Sequence, residues 1–160
     1  LVKYRTGKDK VIIIAHSMGG LVARSYMQIF GDEPVYKLVM IAVPNHGIEG
    51  SLNSYCPLLG ERKECADMAA GSIFMRRLEA GQVPEAHLYT ISGTGCITGN
   101  ESGDGISSLQ ASQLPDAKNY VVEGSCSSFF GTDLHTDILN IDKHSKTMDY
   151  LEIILREKPR

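Results

Sequence analysis

No apolar run in this 160-residue chain approaches the roughly 20 residues that a bilayer-spanning helix needs. Basic residues form no cluster: 16 Lys and Arg are mixed with 19 Asp and Glu, for a net charge of −3. Such a charge pattern offers no electrostatic footprint for nucleic acid, and no nucleic-acid partner is expected. There is no internal repeat and no low-complexity tract. No Cys/His spacing resembles a zinc site, and no cluster of oxygen ligands suggests calcium, so no metal is expected. What remains is 42% hydrophobic and 22% charged residues, the composition and length of one globular domain.

The four cysteines are Cys56, Cys65, Cys96 and Cys126. Cys56 and Cys65 flank the turn-rich PLLGERKE, and a disulfide closing that loop would contribute about 2–3 kcal/mol. Cys96 and Cys126 each stand where a strand-like segment gives way to a loop, which allows a second bridge. Four buried thiols are the alternative. The even count favours a secreted or extracytoplasmic setting; compartment and oligomeric state are otherwise open.

Apolar periodicity divides the chain into alternating strands and helices. Val11 to Ala15 is a short, Ile-rich continuous run, as expected of a strand buried on both faces. Met18 to Phe30 has helical periodicity, with Gly31 as a stop. Lys37 to Val43 reads as a second buried strand, ended by Pro44, so a βαβ unit is expected. Asn45 to Ala70 reads as mostly irregular. Ser72 is placed to cap a helix through IFMRRLEA, with Gly81 beyond it. His87 to Ser92 reads as a third strand, GTGCITGNESGDG as a glycine-rich loop and Asn119 to Glu123 as a fourth strand. A loop continues through His135. Ser145 to Glu157 reads as a final helix with Met148, Leu151, Ile154 and Leu155 on its apolar stripe. This order predicts an α/β fold with a mostly parallel sheet.

Ser17 falls at the junction of the first strand and the first helix, within AHSMGG. A sharp turn there would push its hydroxyl out at the carboxyl end of the sheet. Small residues at Ala15, Gly19 and Gly20 would relieve the crowding. The free N–H groups at the helix start would face any negative charge developing nearby, with the Met18 N–H as one oxyanion donor. A serine so placed becomes a nucleophile once a histidine takes its proton. The bland alternative is a serine that only caps the helix.

AHSMGGLVARSYM resembles the nucleophile turn of α/β-hydrolase lipases and esterases, of the bacterial triacylglycerol-lipase type. TGKDKV resembles the end of their preceding helix, IAVPNHG their T-P-x-H-G segment, and MAAGSIFMRRL their M-x-x-G-S-x-F-L-x-x-L segment. GDG at Gly103 to Gly105 resembles the turn that carries their catalytic acid, and HTDILN at His135 resembles their histidine loop. Ala15 stands where many relatives have glycine. The resemblance implies the α/β-hydrolase fold with residues 1–160 as its C-terminal part. The earlier strands, and the loop giving the second oxyanion donor, would precede this chain. Residues 47–70 would be an insertion, either a lid or a rim loop. A first strand left without its neighbours would be an exposed apolar edge, prone to aggregation.

The family's chain order is nucleophile, acid, then histidine. That order places the acid at Asp104, with Asp116 and Asp133 as fallbacks. His135 and His144 both follow the last strand. The resemblance to the family's histidine loop, with Ile138 and Leu139 three and four residues on, implies His135 as the base rather than His144, which stands at the start of the last helix. His16 would pack beside the turn, His46 would shape the rim, and His87 would lie at the end of its strand away from the chemistry. The resemblance implies ester hydrolysis, with a small-molecule ester or lipid as substrate, transient contact with a lipid surface, and no cofactor. A deacylase, amidase or acyltransferase would use the same triad, and a non-catalytic binding protein would need none of it.

Overall fold

The computed structural model describes residues 1–49, 61–82, 84–127 and 133–158. A short helix, α1 (Val2–Thr6), leads into β1 (Val11–His16), α2 (Met18–Phe30) and β2 (Val35–Ile41). Two helices follow, α3 (Arg62–Met68) and α4 (Ile73–Glu79), and then β3 (His87–Thr94). A small hairpin, β4 (Cys96–Thr98) and β5 (Glu101–Gly103), precedes α5 (Leu109–Ser112) and β6 (Lys118–Glu123). The last elements are α6 (Asp133–Asp137) and α7 (Ser145–Arg156). The main sheet runs β1-β2-β3-β6 with every neighbouring pair parallel.

Alternation along β2 explains the layering. Leu38 and Met40 face α2 and α4, joining Leu21, Met27, Met75 and Leu78; Val39 and Ile41 face the opposite layer, with Ile91, Leu134, Ile138 and Ile154. Side chains alternate between the two faces of a strand, so a strand covered by helices on both sides reads as one continuous apolar run. Each of these fully buried side chains contributes about 1.5–3 kcal/mol.

The first strand is not buried on both faces as its Ile-rich run predicts; it is the exposed apolar edge expected of a strand without a neighbour on one side. Ile12 and Ile14 are 39% and 49% exposed, because β1 is an edge strand of the described sheet and α2 covers only one of its faces. The second strand starts at Val35 and ends at Ile41, two residues before the expected end, where Ala42 turns the chain with φ 51°. The expected irregular stretch contains α3, begun by a capping box in which Glu61 and Glu64 satisfy each other's backbone N–H groups. The insertion's base is closed by Ile48, which donates to the Met68 carbonyl at 2.8 Å and accepts from Ala70 at 3.0 Å. Its middle, residues 50–60, lies outside the described residues, and with it Cys56 and the expected Cys56–Cys65 pairing.

The glycine-rich loop is in fact the β4–β5 hairpin, in register Cys96↔Gly103 around a Gly99-Asn100 turn. A two-residue Gly-Asn turn between alternating residues is a hairpin signal that the glycine content masks. His135 sits within the short helix α6, not in a loop. On α7 the covered residues are Thr147, Tyr150, Leu151 and Ile154, whereas Met148 is 38% and Leu155 45% exposed, so the true stripe is rotated from the expected one. No helix among the described residues is long and apolar enough to cross a membrane.

Candidate active site

The site is built at the carboxyl end of the parallel sheet. Ser17 follows β1 directly and holds φ 52° and ψ −134°, a conformation that L residues rarely adopt. Its backbone N–H donates to the Ile41 carbonyl at 3.0 Å, extending the β1–β2 ladder by one rung beyond the strand. The Met18 N–H then heads α2, where the first backbone donors have no helical partner. Of the two glycines behind the serine, only Gly20 is sterically required: a Cβ there would lie 2.3 Å from a Val43 methyl. At Gly19 a Cβ would meet nothing nearer than Ala15 at 3.9 Å, so of the two glycines Gly20 alone gives the expected relief of crowding.

Asp104 is wholly buried after β5. Its Oδ1 accepts the Ile106 and Ser107 N–H groups at 2.9 and 2.8 Å, an Asx-type turn that fixes the carboxylate. Oδ2 is left facing His135 Nδ1 at 2.9 Å. Gly93 on β3 makes room, since a Cβ there would lie 2.8 Å from the Asp104 Cβ. The loop is tied further by a Cys96–Cys126 disulfide, whose Cys126 sulfur lies 3.8 Å from the Asp104 carbonyl oxygen.

His135 is 8% exposed and sits between Leu134 and Ile138, which are both wholly buried. Its Nε2 lies 2.8 Å from Ser17 Oγ. The carboxylate of Asp104 can only accept, so Nδ1 carries the proton and Nε2 is free to accept from the serine hydroxyl. Three residues distant in sequence thus form one line of hydrogen bonds, from a buried acid to a half-buried serine on strained backbone.

The other candidates fall elsewhere. Asp116 lines a side cavity with Arg24, His46 and Glu79. Asp133 opens α6, but its side chain is not described. His144 caps the start of α7 and packs beside Gly124. His87 opens β3 at the sheet's amino end, edge-on to Tyr36. His46 lies between the Glu79 carboxylate at 3.2 Å and the Gln113 carbonyl at 3.1 Å. Burial of Arg24 lowers its guanidinium pKa to about 10, against the opposing pull of Glu79. His16 does more than pack: its Nε2 reaches the His135 carbonyl oxygen at 2.7 Å. Among the described residues no three His, Cys, Asp or Glu side chains gather as a metal site would require.

The sheet order and the strained serine turn can be set against known structures. The mature form of the Bacillus licheniformis lipase BlEst2 superposes with a TM-score of 0.64 at 15% identity, over 88% of this chain and 66% of that one. Phospholipase PlaB from Legionella pneumophila gives 0.68 at 16% identity, over 99% of this chain and 46% of the other. The chain has an α/β-hydrolase fold. A third structure, the lin2722 gene product from Listeria innocua, gives 0.59 at 19% identity, over 99% and 62% of the two chains. This chain therefore spans less than two thirds of the length of each of these proteins. A family model, the PGAP1-like alpha/beta domain, matches residues 2–56, the stretch that holds β1, the serine turn and β2. No curated protein sequence matches significantly.

Proposed function

We propose that this chain carries the catalytic triad of a serine hydrolase that cleaves carboxylic esters, with lipids or smaller esters as substrates. The observation that carries the reading is the continuous Ser17–His135–Asp104 hydrogen-bond line, ending on a serine in strained backbone at the carboxyl end of the sheet. Similarity to proteins named as lipase and phospholipase supports an ester substrate.

In this mechanism Ser17 Oγ attacks the ester carbonyl carbon as His135 Nε2 takes its proton. Asp104 holds the imidazole in the required tautomer and stabilises the imidazolium that forms. The Met18 N–H, at the positive end of α2, donates to the oxyanion of the tetrahedral intermediate. His135 returns the proton to the leaving alkoxide, which departs as alcohol and leaves an acyl ester on Ser17. Water, deprotonated by His135, then attacks that ester; the acid is released and Ser17 regains its proton.

The test is hydrolysis of nitrophenyl esters from short to long acyl chains by the full-length gene product, beside a Ser17→Ala control. Loss of at least about 10⁴-fold in kcat is expected in the control. Activity that survives the substitution rules out this nucleophile. The acyl-length profile separates esterase from lipase.

A further inference from the structure

We infer that His16 is a positioning residue: its imidazole straps the backbone of His135 to the end of β1 and thereby sets the register between base and nucleophile. The inference rests on the triad reading above.

The local backbone of α6 creates the need. This helix has five residues, Asp133–Asp137. Ile138 donates to the Leu134 carbonyl at 2.9 Å, a regular helical bond, but Leu139 donates to Thr136 at 3.2 Å, only three residues back. The His135 carbonyl is therefore passed over by the N–H that a continued helix would have given it. The imidazole of His16 takes that place at 2.7 Å, across 119 residues of sequence. A carbonyl oxygen only accepts, so His16 Nε2 is the donor and its tautomer is fixed.

The consequence is geometric. Leu134 and Ile138 bury the α6 segment, but apolar contacts are non-directional and fix its depth better than its rotation. The bond from His16 holds the backbone of His135, while Ser17, the residue that follows directly after the strand, meets its side chain at 2.8 Å. Two adjacent residues, the last of β1 and the first of the turn after it, thus grip one histidine at two points. The rings of His16 and His135 lie 5.0 Å apart between centroids. Burial lowers the pKa of His16, which favours a neutral neighbour beside the imidazolium that His135 becomes during reaction. Nothing in the proposed acid–base line uses His16 for proton transfer, so it acts through His135.

The test compares His16→Phe and His16→Ala, which lack the donor, with His16→Gln, whose amide restores one near the position of Nε2. Two readouts are taken on the full-length protein: hydrogen exchange of backbone amides across residues 133–139, and kcat and KM for a nitrophenyl ester. The Phe and Ala variants are expected to raise exchange tenfold or more in that segment. They are expected to lower kcat about ten- to hundredfold, with KM within about twofold, as a misplaced base would. The Gln variant is expected to recover most of both. Wild-type exchange in the Phe and Ala variants overturns the strap, and so does a Gln variant as defective as Phe. If the Phe variant does not fold, Ala against Gln carries the same contrast. If the wild-type protein hydrolyses no ester and Ser17 takes no serine-directed probe, the hydrolase reading fails, and the exchange rates alone uphold or overturn the strap.

Discussion

Both ends of the parallel sheet hold a buried polar cluster, and they differ in almost everything else. At the amino end Lys37 is wholly buried and donates to the carbonyls of Ile154 and Glu157 at 2.5 and 2.6 Å, fastening the last turn of α7. Glu157 also pairs with Lys118 and accepts from the Tyr89 hydroxyl at 3.3 Å. Burial pulls the Lys37 pKa down and pushes that of Tyr89 up to about 12, with Glu157 adding to the latter. Yet no residue of this cluster has positive φ, and its hydroxyl, on Tyr89, meets a carboxylate rather than an oriented imidazole. At the carboxyl end the backbone is strained at Ser17 and at Ala42, which follow neighbouring strands, and each is held by a ladder bond to the next strand. A buried or perturbed ionisable group is thus weak evidence for chemistry in this fold. Strain beside a hydroxyl aligned with an oriented imidazole is the better marker.

That contrast can be broken most sharply by paired substitutions. Asp104→Asn is expected to lower kcat about 10⁴-fold through the wrong imidazole tautomer, with the fold retained. Lys37→Met is expected to leave kcat within about twofold and to cost about 1–3 kcal/mol of stability, as the Ile154 and Glu157 carbonyls lose a buried donor. Steady-state kinetics beside denaturant melts of the two variants check both; a large kcat loss in Lys37→Met would erase the distinction between the ends. Next in size is the Cys96–Cys126 bridge, which closes the segment carrying Asp104. Replacing both cysteines with serine is expected to remove about 3–4 kcal/mol, read from the shift of the unfolding midpoint.

A smaller effect sharpens the amino end. Since the folded Tyr89 keeps its proton up to about pH 12 against 10.0 for an ordinary tyrosine, its contribution is complete below pH 10 and is lost as the pH rises toward 12. Tyr89→Phe should remove that part of the alkaline loss in a series of melts from pH 9 to 12. An unchanged alkaline slope would place the cause elsewhere.

The sequence carried the site further than it carried the surroundings. A strand, a serine and the helix after it are all local, so the turn was legible from AHSMGG; the pressure of Val43 on Gly20, from beyond the next strand, was not. Resemblance to the family's acid turn and histidine loop then singled out Asp104 and His135; the structure sets His135 between Asp104 and Ser17. An Ile-rich run says nothing of what covers its outer face, so β1 read as a strand buried on both sides; its exposed edge was foreseen instead from the expected lack of neighbours on one side. The hairpin at Cys96 was hidden by glycine content, although Gly99-Asn100 marked its turn. Helix α3 was signalled by Glu61 and Glu64 at capping-box spacing, a pattern easily lost in a polar stretch. The His16 contact had no sequence signature: its partner is a backbone carbonyl 119 residues away. The Asx turn at Asp104 could have been found from Asp-Gly-Ile-Ser, since aspartate side chains readily accept from the N–H groups two and three residues on.

The most direct measurement is covalent. The folded full-length protein is treated with a fluorophosphonate, and the modified residue is located by peptide mass spectrometry, with and without His135→Ala. The account predicts a single adduct on Ser17 that forms rapidly in the wild type and is strongly slowed without the histidine. A folded wild-type protein that stays unlabelled at Ser17, or that labels at the same rate without His135, would contradict it.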